Sequence, residues 1–434
     1  MTEALLYILG ILAVLVGIAL SIGLHEVGHF LPAKAFGVRV KQFMIGFGPT
    51  VKSWRKGDTE FGLKAIPLGG YILMTGMYPP EKKPYNGPFS SWIKEARTAE
   101  RSDVLASDEN RQFHKLSVPK KLVIMLGGPT MNLLLGFVLI LTALSGIGVT
   151  QNSVSVGKVF DCIDSNLDGS CPTGAPISPA LEAGMQPGDV VLEVNGNPIV
   201  SWTEVIAELD KNRGGTASIL VQRDSEQVTL KLTPVFYERA VFDSNGQAVR
   251  DEEGVPVTEL RPVIGIQLGL ESVPLSLSES FGVAANATAS TFGFIFTLPQ
   301  QVWGVGASIL GLQERDPNGA ISILGVGQIA GELTSTDNIP VSAKAASLLM
   351  LLGSLNIALF AFNLLPLLPL DGGHVVGALY EGAKRRGARL LGKEDPGPVD
   401  TAKSLPFAYA MWLVLIAVGL ILIFADAINP IALS

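Results

Sequence analysis

Two histidines and a glutamate at close spacing are the residues of this chain best suited to chemistry. His25, Glu26 and His29 lie in the run H-E-V-G-H, and the chain contains only 4 His among 434 residues. Because residues four positions apart share one face of a helix, both imidazoles can hold one Zn²⁺. Glu26 can then act as general base toward a water molecule at the metal. The pattern predicts zinc-dependent peptide hydrolysis, and the alternative is a pair of buried, hydrogen-bonded imidazoles.

The motif continues directly from an apolar run without charges, Leu5 to Leu24, that is long enough to span a bilayer. Ionisable side chains at membrane depth are costly and usually serve a function there. The run lacks a basic start and a small-residue cleavage site, so we expect a retained span rather than a removed signal peptide.

A catalytic zinc site needs a third protein ligand and an open position. Asp371, in the run L-P-L-D-G-G-H, is the best candidate because it is the lone carboxylate at the end of an apolar segment. His374 is the competitor, and the two glycines before it suggest a break out of the membrane. Asn363, earlier in the same segment, is expected to bond an unwound backbone.

The composition places the chain among membrane proteins with a soluble portion. Hydrophobic residues make up 48% and charged residues 16% of the chain, and the mean hydropathy is +0.39. The net charge of −7 gives no support for a nucleic-acid partner. Four stretches predict transmembrane helices: 1–33 with the metal motif, 120–149, 344–373 with the L-D-G motif, and 406–428.

The charges between these stretches predict their orientation. Residues 34–121 carry 16 Lys and Arg against 8 acidic residues, whereas residues 149–344 carry 10 against 23. By the positive-inside rule, both termini and the 149–344 segment lie outside the cytoplasm. Residues 281–311 could add a fifth span, which would move the loop 370–405 outside. Because they contain many polar residues, we expect a membrane-surface helical region over 271–343 instead.

The cytoplasmic loop, 34–119, is expected to contain a membrane-associated β-loop at 42–74. The runs G-F-G-P and P-L-G-G-Y bracket short apolar, β-like pieces there. An ordinary cytoplasmic hairpin is the alternative. Residues 78–118 show no periodicity and are expected to be mobile, with His114 exposed to solvent.

The segment 153–270 predicts a separate extracytoplasmic domain. The run S-P-A-L-E-A-G-M-Q-P-G-D-V-V-L-E-V-N-G predicts a short helix, a turn, a strand and an N-G turn, and it resembles a PDZ domain. Such domains bind extended peptides by adding a strand. Cys162 and Cys171, the only cysteines, are expected to form a disulfide around a polar turn at 164–169.

Taken in order, the motifs resemble the bacterial site-2 protease family, zinc metalloproteases of the M50 type that include the regulator-of-sigma-E protease. The matching runs are H-E-V-G-H, G-F-G-P, P-L-G-G-Y, G-G-P-T-M-N (127–132), the single PDZ-like region, G-A-I-S-I-L-G-V-G-Q-I-A-G (319–331) and N-L-L-P-L-L-P-L-D-G-G (363–373). They extend over nearly the whole chain. One departure is the proline spacing, because Pro366 and Pro369 are three residues apart where many members have two.

The resemblance implies roles for individual residues. It implies zinc on His25, His29 and Asp371, with Glu26 as the base. It implies that Asn363 contacts the substrate backbone. It further implies that the β-loop presents an edge strand to substrate, which would bring Gly69 and Gly70 into contact with it.

The expected fold is a polytopic α-helical membrane protein of about four transmembrane helices with a membrane-associated β-loop and an inserted PDZ domain (α+β). The expected function is intramembrane proteolysis of single-span proteins, such as anti-sigma factors or signal-peptide remnants, in a bacterial plasma membrane. The expected partners are these substrates, the lipid bilayer and an extracytoplasmic peptide at the PDZ domain. The alternatives are a membrane-anchored PDZ scaffold with a non-catalytic metal site and a metal transporter. A transporter would carry more polar residues in its spans.

Overall fold

A computed structural model describes residues 2–81, 85–102, 104, 108–163, 170–211, 213–241, 249–251, 255–317, 319–336 and 339–431. The predicted polar turn at 164–169 lies outside these residues. The chain forms two compact units, one of residues 1–147 and 274–434 and the other of residues 148–273. The predicted PDZ region thus corresponds to a unit of its own.

The elements are numbered in chain order. The helices are α1 (Thr2–Ala35), α2 (Ser90–Ser102), α3 (Val118–Leu141), α4 (Pro179–Glu182), α5 (Trp202–Lys211), α6 (Leu277–Ile309), α7 (Ile323–Ser335), α8 (Val341–Asn363), α9 (Asp371–Leu390) and α10 (Leu405–Ile428). The strands are β1 (Val40–Lys56), β2 (Thr59–Met74), β3 (Val149–Val159), β4 (Val190–Val194), β5 (Asn197–Pro198), β6 (Ala217–Arg223), β7 (Glu226–Leu232), β8 (Val235–Ala240), β9 (Thr258–Val263) and β10 (Ile266–Val273).

Five helices in the described part of the chain are long and apolar enough to cross a membrane. They span Glu3–Ala35, Val118–Ile147, Leu277–Ile309, Val341–Asn363 and Thr401–Ile428. Four of them correspond to the predicted spans. The third predicted span is shorter than expected, because α8 ends at Asn363 and Asp371 begins a separate helix.

The fifth candidate is α6, which covers residues 281–309 of the apolar stretch 281–311 and lies within the segment 271–343 expected on the membrane surface. It is one continuous helix of 33 residues, and a capping box of Ser276 and Glu279 begins it. Ala284 packs in an apolar cluster with Ile140 and Ile357. The helix therefore packs against α3 and α8.

A fifth span over 281–311 would place the loop 370–405 on the opposite side of the membrane from the loop 34–119. The two loops touch: Arg97 forms an ion pair with Asp400, and Thr401 donates a hydrogen bond to the Met77 carbonyl. Between α6 and α8 lies one further described helix, α7. Helix α7 then packs along α1 over Val14, Ile18 and Val326, before α8 begins.

The β-loop folds as β1 and β2, two long antiparallel strands that each pair twice. Gln42 pairs with both Leu73 and Glu60, so residues 42–45 lie between residues 70–73 and residues 60–63. Positive φ angles at Gly46 and Gly48 let β1 bend back on itself. Residues 70–73 thereby form an outer segment of the sheet, and their second side pairs with no strand among the described residues.

The loop beyond the β-loop contains described residues that contact distant segments of the chain. Its described part contains α2, and Arg97 on this helix is only 6% exposed because it pairs with Asp400 and Glu81. His114 was expected to be solvent-exposed but is buried, and its Nδ1 donates a hydrogen bond of 3.0 Å to the Gly76 carbonyl. The prediction for His114 is wrong because its partner, Gly76, is distant in sequence.

The second unit is built on a sheet of order β10-β3-β4-β6-β7, with β5 paired to β4. Its core contains the alternate residues Ile219 and Val221 of β6 together with Val205 and Leu209 of α5. The predicted N-G turn is present, because Asn195 and Gly196 both have positive φ between β4 and β5. Cys162 and Cys171 form the predicted disulfide.

Candidate metal centre

The contact between α1 and α3 is unusually close. Gly28 lies against the Gly127 carbonyl, and a side chain on either glycine would overlap the other backbone. A Cβ on Gly128 would overlap His29 Nε2. The absence of three side chains therefore lets α3 reach the metal motif directly.

This close packing orients the His29 ring. The Ile124 carbonyl lies 2.7 Å from His29 Nδ1 and can only accept, so Nδ1 donates the proton. The Nε2 lone pair is then free to bind a metal, in the tautomer that metal-bound histidines use. Within the described residues, buried Nδ1 of His25 has no such partner.

Three side-chain atoms that can each bind a metal ion, referred to below as the three donor atoms, lie close together in the first unit. His29 Nε2 lies 3.2 Å from His25 Nε2 and 3.2 Å from Asp371 Oδ2, and His25 Nε2 lies 3.3 Å from the same oxygen. Ligands at about 2.0–2.1 Å from a tetrahedral zinc ion are about 3.3–3.4 Å from one another. The three atoms therefore have the spacing of three corners of a zinc site.

Asp371 reaches this point because the chain breaks between α8 and α9. It begins α9, where a carboxylate in the first turn is stabilised by the helix dipole. Gly372 lies against the Leu364 and Leu365 carbonyls, so a side chain would overlap the end of α8. The two glycines lie inside the first turn of α9, and the expected break precedes them. His374 lines the same cavity but is outside the group of three.

The sheet passes directly beside the predicted general base. Gly69 has a φ of 95°, which favours glycine. A Cβ on Gly70 would lie 3.1 Å from Glu26 Cγ and 3.0 Å from the Met44 carbonyl oxygen. Glu26 is 7% exposed. The outer segment of β2 thus lies against Glu26 with no side chain between them at Gly70.

A cavity of about 600 Å³ joins these groups. It is lined by Ile18, Ile22, His25, Glu26, His29, Gly69, Gly70, Tyr71, Ile72, Met74, Met77, Met125, Asn132, Ile321, Ser322, Ile323, Val326, Leu355, Leu359, Asn363, Pro369, Asp371 and His374. Every residue predicted for the site is in this lining. Asn363 donates a 2.9 Å hydrogen bond from Nδ2 to the Leu359 carbonyl.

Several residues of the site were missed from sequence. The Ile124 carbonyl carries no sequence signal, because any residue has one. Asn132 belongs to the run G-G-P-T-M-N, where a polar residue in an apolar helix was the available signal. Ser322 begins α7 by capping Leu324 and Gly325, and its own N–H is held by Asp426.

Comparison with known proteins agrees with a metal-dependent peptidase site. The family model for "Peptidase family M50" matches residues 13–392. The zinc metalloprotease Rip1 of Mycobacterium tuberculosis is 29% identical over 450 residues, covering 99% of this chain and 100% of its own. Rip1 of Mycolicibacterium smegmatis is 28% identical, with 98% of each chain covered. The metalloprotease MmpA of Caulobacter vibrioides is 28% identical, covering 88% of this chain and 89% of its own.

Proposed function

The chain belongs to peptidase family M50 and is a zinc-dependent membrane protease, and on this premise we propose that it cuts peptide bonds inside the membrane-spanning segments of single-span proteins. The observation that carries the proposal is the position of the three donor atoms. Two of them lie on α1, a helix apolar and long enough to cross a membrane, and the third begins the helix after α8. Because two of the three atoms lie on α1, the site would meet its substrate at membrane depth.

His25, His29 and Asp371 would hold the zinc through Nε2, Nε2 and Oδ2. When bound, the ion polarises the scissile carbonyl and makes water more acidic. The hydrogen bond from His29 Nδ1 to Ile124 holds one ring in the tautomer that leaves Nε2 unprotonated. The close contact of Gly28 with Gly127 holds α3 against α1 and so keeps the Ile124 carbonyl beside His29.

Glu26 is the general base of the proposed reaction. It lies next to His25 in sequence and on the wall of the same cavity. Its carboxylate takes a proton from the attacking water and later delivers it to the leaving amine. Its buried position beside Gly70 excludes bulk water from this transfer.

A helical substrate must unwind before it is cut, because its peptide groups are bonded within the helix. The outer segment of β2, residues 70–73, offers strand pairing on its unpaired side, next to Glu26. The Asn363 amide would exchange its bond to the Leu359 carbonyl for one to the substrate backbone. These contacts would compensate the peptide groups released by unwinding.

The orientation proposed from the charges puts both termini outside and the loops 34–119 and 370–405 in the cytoplasm of a bacterial cell. The contact between Arg97 and Asp400 supports placing these two loops on one side. The proposal extends to the second unit as a PDZ domain that binds an extracytoplasmic peptide or restricts which substrates enter. The substrates would be single-span proteins already trimmed outside, such as anti-sigma factors or signal-peptide remnants.

The test is cleavage of single-span substrates by the purified protein at full zinc occupancy. Wild type should cut inside the membrane segment, and Glu26→Gln should lose at least about a hundredfold in rate while keeping its zinc. Glu95→Gln, on α2, is the matched control and should cut as wild type does. Equal cleavage by Glu26→Gln would exclude Glu26 as the base, and no cleavage of any substrate would favour the scaffold alternative.

A further inference from the structure

Three buried or partly buried asparagines lie on the helices around the metal centre, and they differ in what their amides do. Asn363 is bonded to the Leu359 carbonyl. Asn356 Nδ2 donates to Ser21 Oγ and to the Leu352 carbonyl, which ties α8 to α1. Asn132 is 1% exposed, and its Oδ1 has no hydrogen-bond partner among the described residues.

The position of Asn132 suggests where a partner for this oxygen would come from. Asn132 lines the cavity that contains the three donor atoms, and Asn356 does not. It lies one turn after Gly128 on the same face of α3, and Gly128 packs directly against His29 Nε2. Asn132 is therefore part of the cavity wall beside the metal centre, and its free amide oxygen is buried within that wall.

The free-energy cost of burying an unpaired amide oxygen indicates that Asn132 Oδ1 forms a hydrogen bond when a ligand is bound. A buried polar atom without a hydrogen bond destabilises the folded protein, whereas an apolar side chain of similar shape would not. Asn356 Oδ1 also has no partner among the residues that the structure describes, but the Asn356 amide donates two hydrogen bonds that favour its burial. For Asn132, the cavity is the place where a compensating group can enter.

We propose that Asn132 binds the main chain of the substrate, with Oδ1 accepting a backbone N–H near the scissile bond. This inference rests on the proposed function and adds a binding residue to it. A membrane-spanning substrate carries mostly apolar side chains, so the donors it can offer are the N–H groups released when its helix unwinds. The substrate would then be held between Asn132 on α3 and the outer segment of β2.

The experiment separates binding from cleavage. A labelled substrate that wild type cuts is titrated against Glu26→Gln and against Glu26→Gln with Asn132→Leu, and the dissociation constants are compared. Loss of one hydrogen bond should weaken binding about tenfold. The melting temperature of Asn132→Leu should be equal to or above that of the parent, because an unpaired buried polar group has been removed.

Asn356→Leu is the matched control. It should lower the melting temperature, since two hydrogen bonds are lost, and leave the dissociation constant of the folded protein within about twofold. Asn132→Ala, which adds no bulk to the cavity, should reproduce the binding defect if Asn132→Leu folds poorly.

The outcomes distinguish failure of the proposed role of Asn132 from failure of the proposed protease function. Unchanged binding with Asn132→Leu and Asn132→Ala would overturn the role of Asn132 and leave the proposed protease function standing. A lower melting temperature with unchanged binding would make Asn132 a structural residue. If wild type cuts no single-span substrate and Glu26→Gln binds none, the proposed function fails and this inference fails with it.

Discussion

Helices α3 and α9 meet at two buried polar sites, and the two sites are built in opposite ways. At one site, Lys121 Nζ donates to both oxygens of Glu381 at 2.9 and 2.8 Å, and Arg385 and the Val399 N–H bond the same carboxylate. At the other, Ile124 of α3 holds His29 beside Asp371 of α9. At the first site the buried carboxylate needs no further ligand, because hydrogen-bond donors of the protein face its oxygens.

The candidate metal centre lacks such a match of donors to acceptors. The Nε2 atom of His29, whose proton is on Nδ1, and the Oδ2 atom of Asp371 are both acceptors and lie 3.2 Å apart, and His25 Nε2 lies within 3.3 Å of both. Burial of such a group is favourable only when a cation binds between them. A paired buried charge thus indicates structure, and a buried group of converging acceptors indicates a bound ion.

The largest effect is expected at the metal centre. Asp371→Asn replaces a charged ligand by a neutral amide, so zinc content should fall and cleavage should drop at least about a hundredfold. Metal analysis of the purified protein and cleavage of a single-span substrate measure both. Asp395→Asn changes an exposed carboxylate in the loop after α9 and should keep both zinc and activity. Full zinc in Asp371→Asn would exclude Asp371 as a ligand.

A smaller effect, on stability alone, is expected at the paired site. Lys121→Met leaves the Glu381 carboxylate buried with one partner fewer and should lower the free energy of unfolding by about 3 kcal/mol. Zinc content of the folded protein should not change. The double variant Lys121→Met with Glu381→Leu should recover most of the loss, because no unpaired charge remains. If zinc were lost in the single variant, the two sites would not be independent.

The smallest effect is expected in the second unit, where Asp189 and Arg223 form a comparable pair. Burial by itself would raise the pKa of the Asp189 carboxyl, but hydrogen bonds from Arg223 and from the Gln186 N–H outweigh it and hold the pKa below its ordinary value. A lowered pKa contributes stability above the unfolded value of about 3.9, and this is lost as the pH falls through the folded value.

The stability of this unit should therefore be constant near neutral pH and decline below about pH 4. Asp189→Asn should lower it by about 1–2 kcal/mol at pH 7 and flatten the decline. Hydrogen exchange of the amides in residues 170–232 against pH measures both. An unchanged pH dependence in Asp189→Asn would assign the decline to other carboxyl groups.

The family, the chemistry and the main elements could be predicted from sequence, because they depend on local patterns. Two histidines four residues apart share a helix face wherever that helix lies, and apolar runs such as Leu405–Ile428 form long helices. In the second unit, β6 and α5 follow from alternating and helical periodicity. Asp371 could be selected because a lone carboxylate at the end of an apolar segment is costly at membrane depth and usually serves a function there.

Tertiary structure alone decided the contacts between segments distant in sequence. No local pattern predicts that Gly28 meets Gly127, that the Ile124 carbonyl orients His29, or that Arg97 is buried by Asp400. The break between Asn363 and Asp371 likewise depends on how α9 packs under the end of α8. The residue types of the site follow from chemistry and are visible in the sequence. Their convergence on one point depends on helix packing, which a one-dimensional pattern does not contain.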